Sequence, residues 1–167
     1  FAIKGREKKK PLLLLISARE QLETLARNIT PAHYTLMQEF WPGPLTLLFE
    51  PLSVILNNVS AGLIGIRQPG NSMTRDLISS FGQAITAPSA NLSGEAPPTS
   101  AKQVEQSLGS HLDLIIDGGT CPGGEPSTLV DATETPVRLI RPGAIPFSDI
   151  EIALRGNTKP DQPEVLE

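Results

Sequence analysis

The sequence has few of the residues that build common catalytic and metal centres. Among its 167 residues are one cysteine, Cys121, and two histidines, His33 and His111. A single cysteine excludes an internal disulfide, and two histidines far apart in sequence lack the Cys/His spacing of a zinc site. We therefore expect no structural metal bound by the protein.

Long apolar runs are also missing. The longest, "PLLLLI" at residues 11–16, is far short of the roughly 20 apolar residues that span a bilayer. The sequence has no secretory signal and only one cysteine, which together favour a cytoplasmic protein without a membrane partner. The chain starts at Phe1, in the middle of a pattern, so we expect that further residues precede it.

Charge is unevenly distributed along the chain. The net charge is −4, which argues against a polycation built for nucleic acid. Five basic residues nevertheless fall in the first ten positions: Lys4, Arg6, Lys8, Lys9 and Lys10. This local patch can attract an anion. The length, with 39% hydrophobic and 19% charged residues, is typical of one soluble globular domain.

Hydrophobic periodicity predicts strands and helices in one sheet-based fold. Apolar runs predict strands at 11–16, 45–50, 62–67, 83–86, 112–117, 127–131 and 137–141. Capping residues predict helices after Ser17 (through Ile29), Thr30, Asn71 and Ser100, and a short helix is expected at 148–154. Helices and strands alternate early and strands crowd together late, which favours an α/β fold of the α+β type, with helices packed on a mixed sheet.

Polar side chains recur where the predicted strands end or meet Gly/Pro loops. They are Lys4, Arg6, Arg67, Ser89, Asn91, Ser93, Ser127, Thr128 and Arg141. The set lacks a nucleophile with a partner base and lacks matched carboxylates. Arginine, lysine and hydroxyl groups bind phosphate or carboxylate oxygens. Positioning and electrostatics of this kind supply most of the catalysis in phosphoryl or nucleotidyl transfer.

Each of these residues also has a plain structural interpretation. Lys4 and Arg6 fit a solvated charged run, and Arg67 fits an ion pair at a strand end. Ser89 and Asn91 fit side chains that hydrogen-bond their own turn. The residues alone leave both interpretations open.

Six segments, in this order, resemble the YrdC/TsaC family of threonylcarbamoyl-AMP synthases. They are "KGREKKKPLLLLI", "WPGPLTLLF", "IGIRQPG", "TAPSANLSGEAPPTS", "DGGTCPGGEPSTLVDAT" and "RLIRPGAI". The resemblance implies a single domain over 1–147, with a twisted mixed sheet, flanking helices and a concave basic cavity. A short helix and a disordered tail would follow at 148–167. The family's N-terminal strand and "PTDTVYGL"-like segment have no counterpart in this sequence.

The resemblance also implies an activity. Members combine L-threonine, bicarbonate or CO2, and ATP with Mg²⁺, and form L-threonylcarbamoyl-AMP and pyrophosphate. A threonylcarbamoyl-transferase complex then modifies tRNA. Two alternatives stay open, a non-catalytic RNA-binding module of the same fold and a domain that handles carbamoyl-adenylate. Direct binding of tRNA is left open as well.

The resemblance assigns residues position by position. The family's K-x-R and S-x-N motifs match Lys4, Arg6, Ser89 and Asn91, which would form the catalytic set around the nucleotide and intermediate. The substrate- and nucleotide-binding residues would be Arg67, Thr86, Ser127 and Arg141. Arg67 would lie near the threonine carboxylate or the phosphates, and Thr86 would shape the loop that contains Ser89.

Overall fold

The structure is a computed structural model that describes residues 12–52, 62–92, 94–121 and 124–156. The strands are β1 (Leu13–Leu15), β2 (Ala26–Arg27), β3 (Leu45–Pro51), β4 (Ile64–Arg67), β5 (Ile85–Thr86), β6 (Thr128–Asp131) and β7 (Arg138–Arg141). The α-helices are α1 (Pro31–Phe40), α2 (Ser72–Phe81), α3 (Ala101–Leu108) and α4 (Phe147–Gly156). Short 3₁₀ helices occupy Arg19–Thr24 and Gly109–His111.

The strands form one mixed sheet in the order β5-β1-β4-β3-β6-β7, and β2 pairs with one end of β3. The pairs β1/β4 and β3/β6 are parallel, whereas β1/β5, β2/β3, β3/β4 and β6/β7 are antiparallel. The predicted single domain with a mixed sheet and flanking helices is confirmed, and its concave basic cavity stays a prediction.

The side chains of the central strand β3 point alternately to the two faces of the sheet. Leu45, Leu47 and Phe49 alternate along it and belong to the main core, since side chains two residues apart share a face. Thr46 and Leu48 therefore point to the opposite face. Both sets are buried, which explains why this segment appears in the sequence as a nearly continuous apolar run.

Helices α1 and α4 cover the core face of the sheet. Leu36 and Met37 of α1 and Ile150 of α4 join the same core cluster as the inward residues of β1, β3, β4 and β6. Trp41, which follows α1, is buried there too, and its Nε1–H donates to the Leu45 carbonyl at 2.7 Å. This bond helps to seat the turn that leads from α1 into β3.

The predicted N-caps are confirmed for three helices. The side chains of Thr30, Asn71 and Ser100 accept hydrogen bonds from the backbone N–H groups of the first turns of α1, α2 and α3. Such side chains replace bonds that the first turn of a helix cannot make internally. The helix expected at 148–154 is present as α4, whereas the tail expected to be disordered lies outside the described residues.

The helix predicted from Ser17 to Ile29 is wrong. Gln21 Oε1 accepts hydrogen bonds from the backbone N–H of Ser17 at 2.7 Å and from its hydroxyl at 3.0 Å. The chain then makes only the 3₁₀ helix Arg19–Thr24 before β2 pairs with the end of β3. Pairing with a strand edge thus competes with helix continuation, which local spacing does not reveal.

The strand predicted at 112–117 is also absent. Leu114 and Ile116 are 76% and 58% exposed, and none of the described strands pairs with this segment. An extended segment without a neighbour leaves its backbone groups to water. In α2, likewise, Ile78 is buried but the apolar side chains of Met73, Leu77 and Phe81 are exposed.

In the parts of the chain that the structure describes, no helix is long and apolar enough to cross a membrane.

His33 connects the core to the start of α1. Its ring is fully buried, stacks on Phe49 with centroids 4.4 Å apart, and bonds the Leu48 carbonyl through Nε2 at 2.8 Å. Nε2 must donate to a carbonyl, so Nδ1 is the acceptor of the Thr30 N–H at 3.1 Å. Burial lowers the pKa of His33 below its ordinary value of 6.5, although the Leu48 carbonyl and nearby Asp131 oppose the shift.

This arrangement predicts loss of stability at mildly acidic pH. Because the folded pKa is lowered, the contribution of His33 is complete above pH 6.5 and is lost as pH falls through the range between 6.5 and the folded pKa. Urea unfolding between pH 7.5 and 5 should show a falling free energy of unfolding. His33→Gln should flatten that fall, while a change at exposed His111, His111→Gln, should leave it. An unchanged slope in His33→Gln would contradict the assignment.

Candidate functional site

A row of residues crosses the sheet on the face opposite the core. The register places Thr46 of β3 opposite Leu129 of β6, and Leu129 opposite Arg141 of β7. The antiparallel register of β3 and β4 pairs Leu47 with Ile66, so the next pair in this register is Thr46 and Arg67. Arg67 and Arg141 thus start three strand spacings apart, about 14 Å at 4.8 Å per spacing.

The two arginines nevertheless affect each other. Burial lowers the pKa of the Arg67 guanidinium, and the positive charge of Arg141 lowers it further. Both side chains start on the same face of the sheet, which is consistent with this electrostatic effect. Arg67 Nε is buried and has no hydrogen-bond partner within the described chain. A half-buried guanidinium with an unused N–H donor, on the same face as a second cation, favours a bound anion.

Two hydroxyl groups lie beside Arg141. The Arg141 guanidinium donates through Nη2 to the Ser127 carbonyl at 2.8 Å and to Ser127 Oγ at 3.2 Å. Ser127 Oγ in turn lies 2.8 Å from Thr46 Oγ1. Both hydroxyl residues are buried, at 7% and 3% exposure. The structure thus brings together Arg67, Ser127 and Arg141 from the predicted set and adds Thr46.

A tight backbone contact holds the turn after Arg141 against the start of β6. A Cβ on Gly143 would lie within 2.6 Å of backbone atoms of residues 126–128, so only glycine fits. Ala144 N–H donates to the Pro126 carbonyl at 3.0 Å, and Thr128 Oγ1 bonds both the N–H and the carbonyl of Ile145. The "RPG" segment therefore fixes the strand end from which Arg141 projects.

Asn91 is a predicted site residue in the loop that follows β5. It is 9% exposed, and its Nδ2 donates to the Glu95 carbonyl at 2.6 Å. That bond matches the structural interpretation in which Asn91 stabilises its own loop. Its Oδ1 is buried and has no hydrogen-bond partner in the described segments. The amide can thus stabilise the loop through nitrogen and still accept a hydrogen bond through oxygen.

The loop with Ser89 and Asn91 lies at the other end of β1 from Arg67. Ala87 N–H donates to the Leu13 carbonyl at the start of β1, and Ile16 N–H donates to the Arg67 carbonyl past its end. The span from Leu13 to Ile16 is about 10 Å at 3.3 Å per residue. The candidate residues therefore form two groups, one at each end of this strand.

Thr86 does not join either group through its side chain. It pairs with Leu14, a core residue, and cross-strand partners share a face. Its side chain thus belongs to the face opposite Arg67, and a role in shaping the loop stays a prediction. Ser89 is exposed. Lys4, Arg6 and Ser93 lie outside the described residues.

Thr46 is the site residue that the sequence interpretation missed. A signal was present in "WPGPLTLLF", where one hydroxyl interrupts an apolar strand at a position of opposite parity to Leu45 and Leu47. A polar residue at a buried strand position needs a hydrogen-bond partner. The partner, Ser127, is 81 residues away in sequence, so no local pattern identifies the pair.

The donors in this site suit an anion and not a metal ion. The residues that line it offer guanidinium N–H groups, hydroxyl groups and one amide, whereas divalent cations bind carboxylates, imidazoles or thiolates. Within residues 12–52, 62–92, 94–121 and 124–156, no group of three or more His, Cys, Asp or Glu side chains could hold a metal ion.

Comparison with known proteins identifies related chains. A sequence model of Sua5, YciO and YrdC proteins, described as telomere recombination, matches residues 1–143. The threonylcarbamoyl-AMP synthase of Pyrococcus abyssi is 40% identical over 153 residues, which are 90% of this chain and 45% of the relative. That of Bacillus subtilis is 38% identical over 157 residues, with 92% and 45% covered. The chain thus spans about half the length of these relatives.

A solved structure supports the same relationship. The crystal structure of P. abyssi Sua5 complexed with L-threonine superposes with a TM-score of 0.87 at 38% identity, over 92% of this chain and 46% of that one. The agreement extends to the mixed sheet and its flanking helices.

The contact at Gly143 gives a prediction for stability. Gly143→Ala should lower the free energy of unfolding by roughly 1–3 kcal/mol, the usual cost of overpacking, because the added methyl meets backbone that cannot rotate away. Gly118→Ala is the matched control, since a Cβ there meets nothing within 4 Å. Chemical denaturation of both variants measures the effect. Equal stabilities would show that the turn accommodates a side chain.

Proposed function

Since the chain belongs to the Sua5/YciO/YrdC family, we propose that it makes L-threonylcarbamoyl-AMP and pyrophosphate from L-threonine, bicarbonate or CO2, and ATP. This is the activity of an L-threonylcarbamoyladenylate synthase, a nucleotidyltransferase. The observation that carries the proposal is the bond from the Arg141 guanidinium to the Ser127 hydroxyl, on the sheet face that also carries Arg67, in a chain 40% identical to a named synthase.

The two groups of site residues fit a substrate with two polar ends. A threonylcarbamoyl-adenylate has a carboxylate at one end and a phosphate joined to a nucleoside toward the other. Arg67 lies at one end of β1, and the loop that contains Ser89 and Asn91 leaves β5 at the other end of β1. An elongated anion that extends from the arginines toward this loop is proposed to contact both groups.

The reaction needs little from the protein beyond charge and position. The threonine amine adds to CO2, loses a proton and becomes a carbamate. A carbamate oxygen then attacks the α-phosphorus of ATP, and the bond to pyrophosphate breaks. Negative charge gathers on phosphate oxygens in the transition state, and fixed cations stabilise it. Arg67 and Arg141 supply such cations, and Lys4 and Arg6 are proposed to supply the others.

The hydroxyl and amide groups orient the reactants. Ser127 and Asn91 can bond phosphate or carbamate oxygens and the carbamate N–H, because Ser127 is both donor and acceptor and Asn91 Oδ1 accepts. The predicted role of Ser89 is of the same kind. Mg²⁺ would enter on the phosphates of ATP, where it balances charge, and the cationic donors described above would hold those phosphates.

The remaining assignments are part of the same proposal. The product would pass to a threonylcarbamoyl-transferase complex that modifies tRNA in the cytoplasm. Residues 1–147 would form most of the catalytic domain, and α4 packs on its core through Ile150. A non-catalytic RNA-binding module and a domain that handles carbamoyl-adenylate without threonine are the outcomes that would replace this proposal.

The decisive experiment follows labelled bicarbonate. The protein with ATP, Mg²⁺, threonine and ¹⁴C-bicarbonate should form labelled threonylcarbamoyl-AMP and pyrophosphate, and omission of threonine should abolish both. Arg67→Ala should lower kcat/KM about 100-fold, the scale for removing one preorganised charge-stabilising donor. Arg67→Lys should recover part of this loss.

Arg27→Ala is the control, because it makes the same change of charge at an exposed residue of β2 that pairs with Glu50. Salt-sensitive RNA binding without pyrophosphate release would favour the RNA-binding module. Adenylate formation from carbamoyl phosphate and ATP in the absence of threonine would favour the carbamoyl-adenylate domain.

A further inference from the structure

We propose that Thr46 is a positioning residue whose hydroxyl, acting through Ser127, sets the place of the Arg141 guanidinium. The inference rests on the proposed function for its consequence in catalysis, although its geometric part stands without it. Thr46 is the second residue of β3 and is 3% exposed.

The hydroxyl groups of Thr46 and Ser127 form a buried pair. The oxygens are 2.8 Å apart, and either can be the donor. The pair has two hydroxyl protons and uses one between the two oxygens, so one O–H remains to donate elsewhere. Since Arg141 donates to Ser127 Oγ at 3.2 Å, that oxygen also receives a guanidinium N–H. Rotation of the Ser127 side chain would thus move or lose one contact of Arg141.

The methyl group of Thr46 limits rotation of the Thr46 side chain itself. A Cβ built on Gly65 would lie 3.2 Å from Thr46 Cγ2, so the absence of a side chain at Gly65 leaves room for this methyl group. A β-branched side chain has few allowed χ1 angles. The methyl toward Gly65 and the hydroxyl toward Ser127 therefore define one orientation of Thr46.

Arg141 depends on such a contact because its strand is irregular. The pairing of β6 with β7 shifts register between Leu129 and Val130, and an irregularity of this kind changes the direction of nearby side chains. The bond from Nη2 to the Ser127 carbonyl at 2.8 Å fixes one point of the guanidinium. The bond to Ser127 Oγ supplies the second point, and Thr46 holds that oxygen in place.

The geometric part is tested on the unliganded protein. Exchange of the Arg141 guanidinium protons with water is measured by ¹⁵N NMR, with the signal assigned from its loss in Arg141→Lys. Thr46→Val, which replaces the hydroxyl by a methyl, should accelerate exchange roughly three- to tenfold, the scale of one net hydrogen bond. Thr46→Ser, which keeps the hydroxyl, should stay within about twofold of the wild type.

The catalytic part is tested with the bicarbonate assay. Thr46→Val should lower kcat/KM by a similar factor, chiefly through kcat, because Arg141 is proposed to stabilise the transition state, and Thr46→Ser should restore it. Thr24→Val is the matched control, because it removes a hydroxyl that bonds the Gln21 carbonyl on the exposed 3₁₀ helix. Where Thr46→Val does not fold, Thr46→Ser and Thr46→Cys give the same comparison of oxygen with sulfur.

Two results would overturn the inference: wild-type exchange in Thr46→Val, or equal acceleration in Thr46→Ser and Thr46→Val. Failure of the proposed function is distinguishable from either. In that case the wild type forms no threonylcarbamoyl-AMP, while the difference in exchange between the two variants can still be observed.

Discussion

The register of β3 is the constraint on which both the core and the candidate site depend. This strand pairs with β4 on one side and β6 on the other, and its side chains alternate between two buried faces. A shift of one residue would turn Thr46 into the core and Leu47 toward the arginines. It would also separate Thr46 from Ser127, because the hydroxyl bond follows from the pairing of β3 with β6. The apolar residues of β3 therefore secure the polar contacts on its other face.

The same register explains how two like charges come to share a site. Arg67 and Arg141 extend from strands that are not neighbours, and the sheet between them is fixed by main-chain hydrogen bonds and core packing. The repulsion, together with the burial that lowers the pKa of Arg67, costs free energy that the rest of the fold must offset. An anion between them reverses the sign of the Coulomb interaction.

Sequence patterns predicted the fold where the physical cause is local. The caps at Thr30, Asn71 and Ser100 and the apolar runs of β1, β3 and β6 depend on residues a few positions apart. The helix expected after Ser17 fails because β2 pairs with the distant end of β3. The strand expected at 112–117 fails for the converse reason, since the described sheet offers it no partner. Long-range strand pairing decides both cases, and the local periodicity of a single sequence does not reveal which strands pair.

The candidate site shows the same division. Strand ends and Gly/Pro loops directed attention to Arg67, Ser127 and Arg141, because polar side chains collect where strands end. Their placement on one face depends on the strand order and register, as does the exclusion of the Thr86 side chain from that face. Thr46 was not predicted because a single hydroxyl residue within an apolar strand gives no indication of its hydrogen-bond partner, which is distant in sequence.

The small number of cysteine and histidine residues is consistent with a candidate site made of cations and hydroxyl groups. A nucleophile or general base must be matched in pKa to its reaction, which requires a dedicated microenvironment. Charge stabilisation instead requires donors held in fixed directions before the reaction begins. A sheet supplies fixed directions through its register, and Gly143 and the Thr46–Ser127 pair extend that order to the end of an arginine side chain. His33 is fully buried and hydrogen-bonds the Leu48 carbonyl. It takes no part in the candidate site, whose side chains are cations and hydroxyl groups.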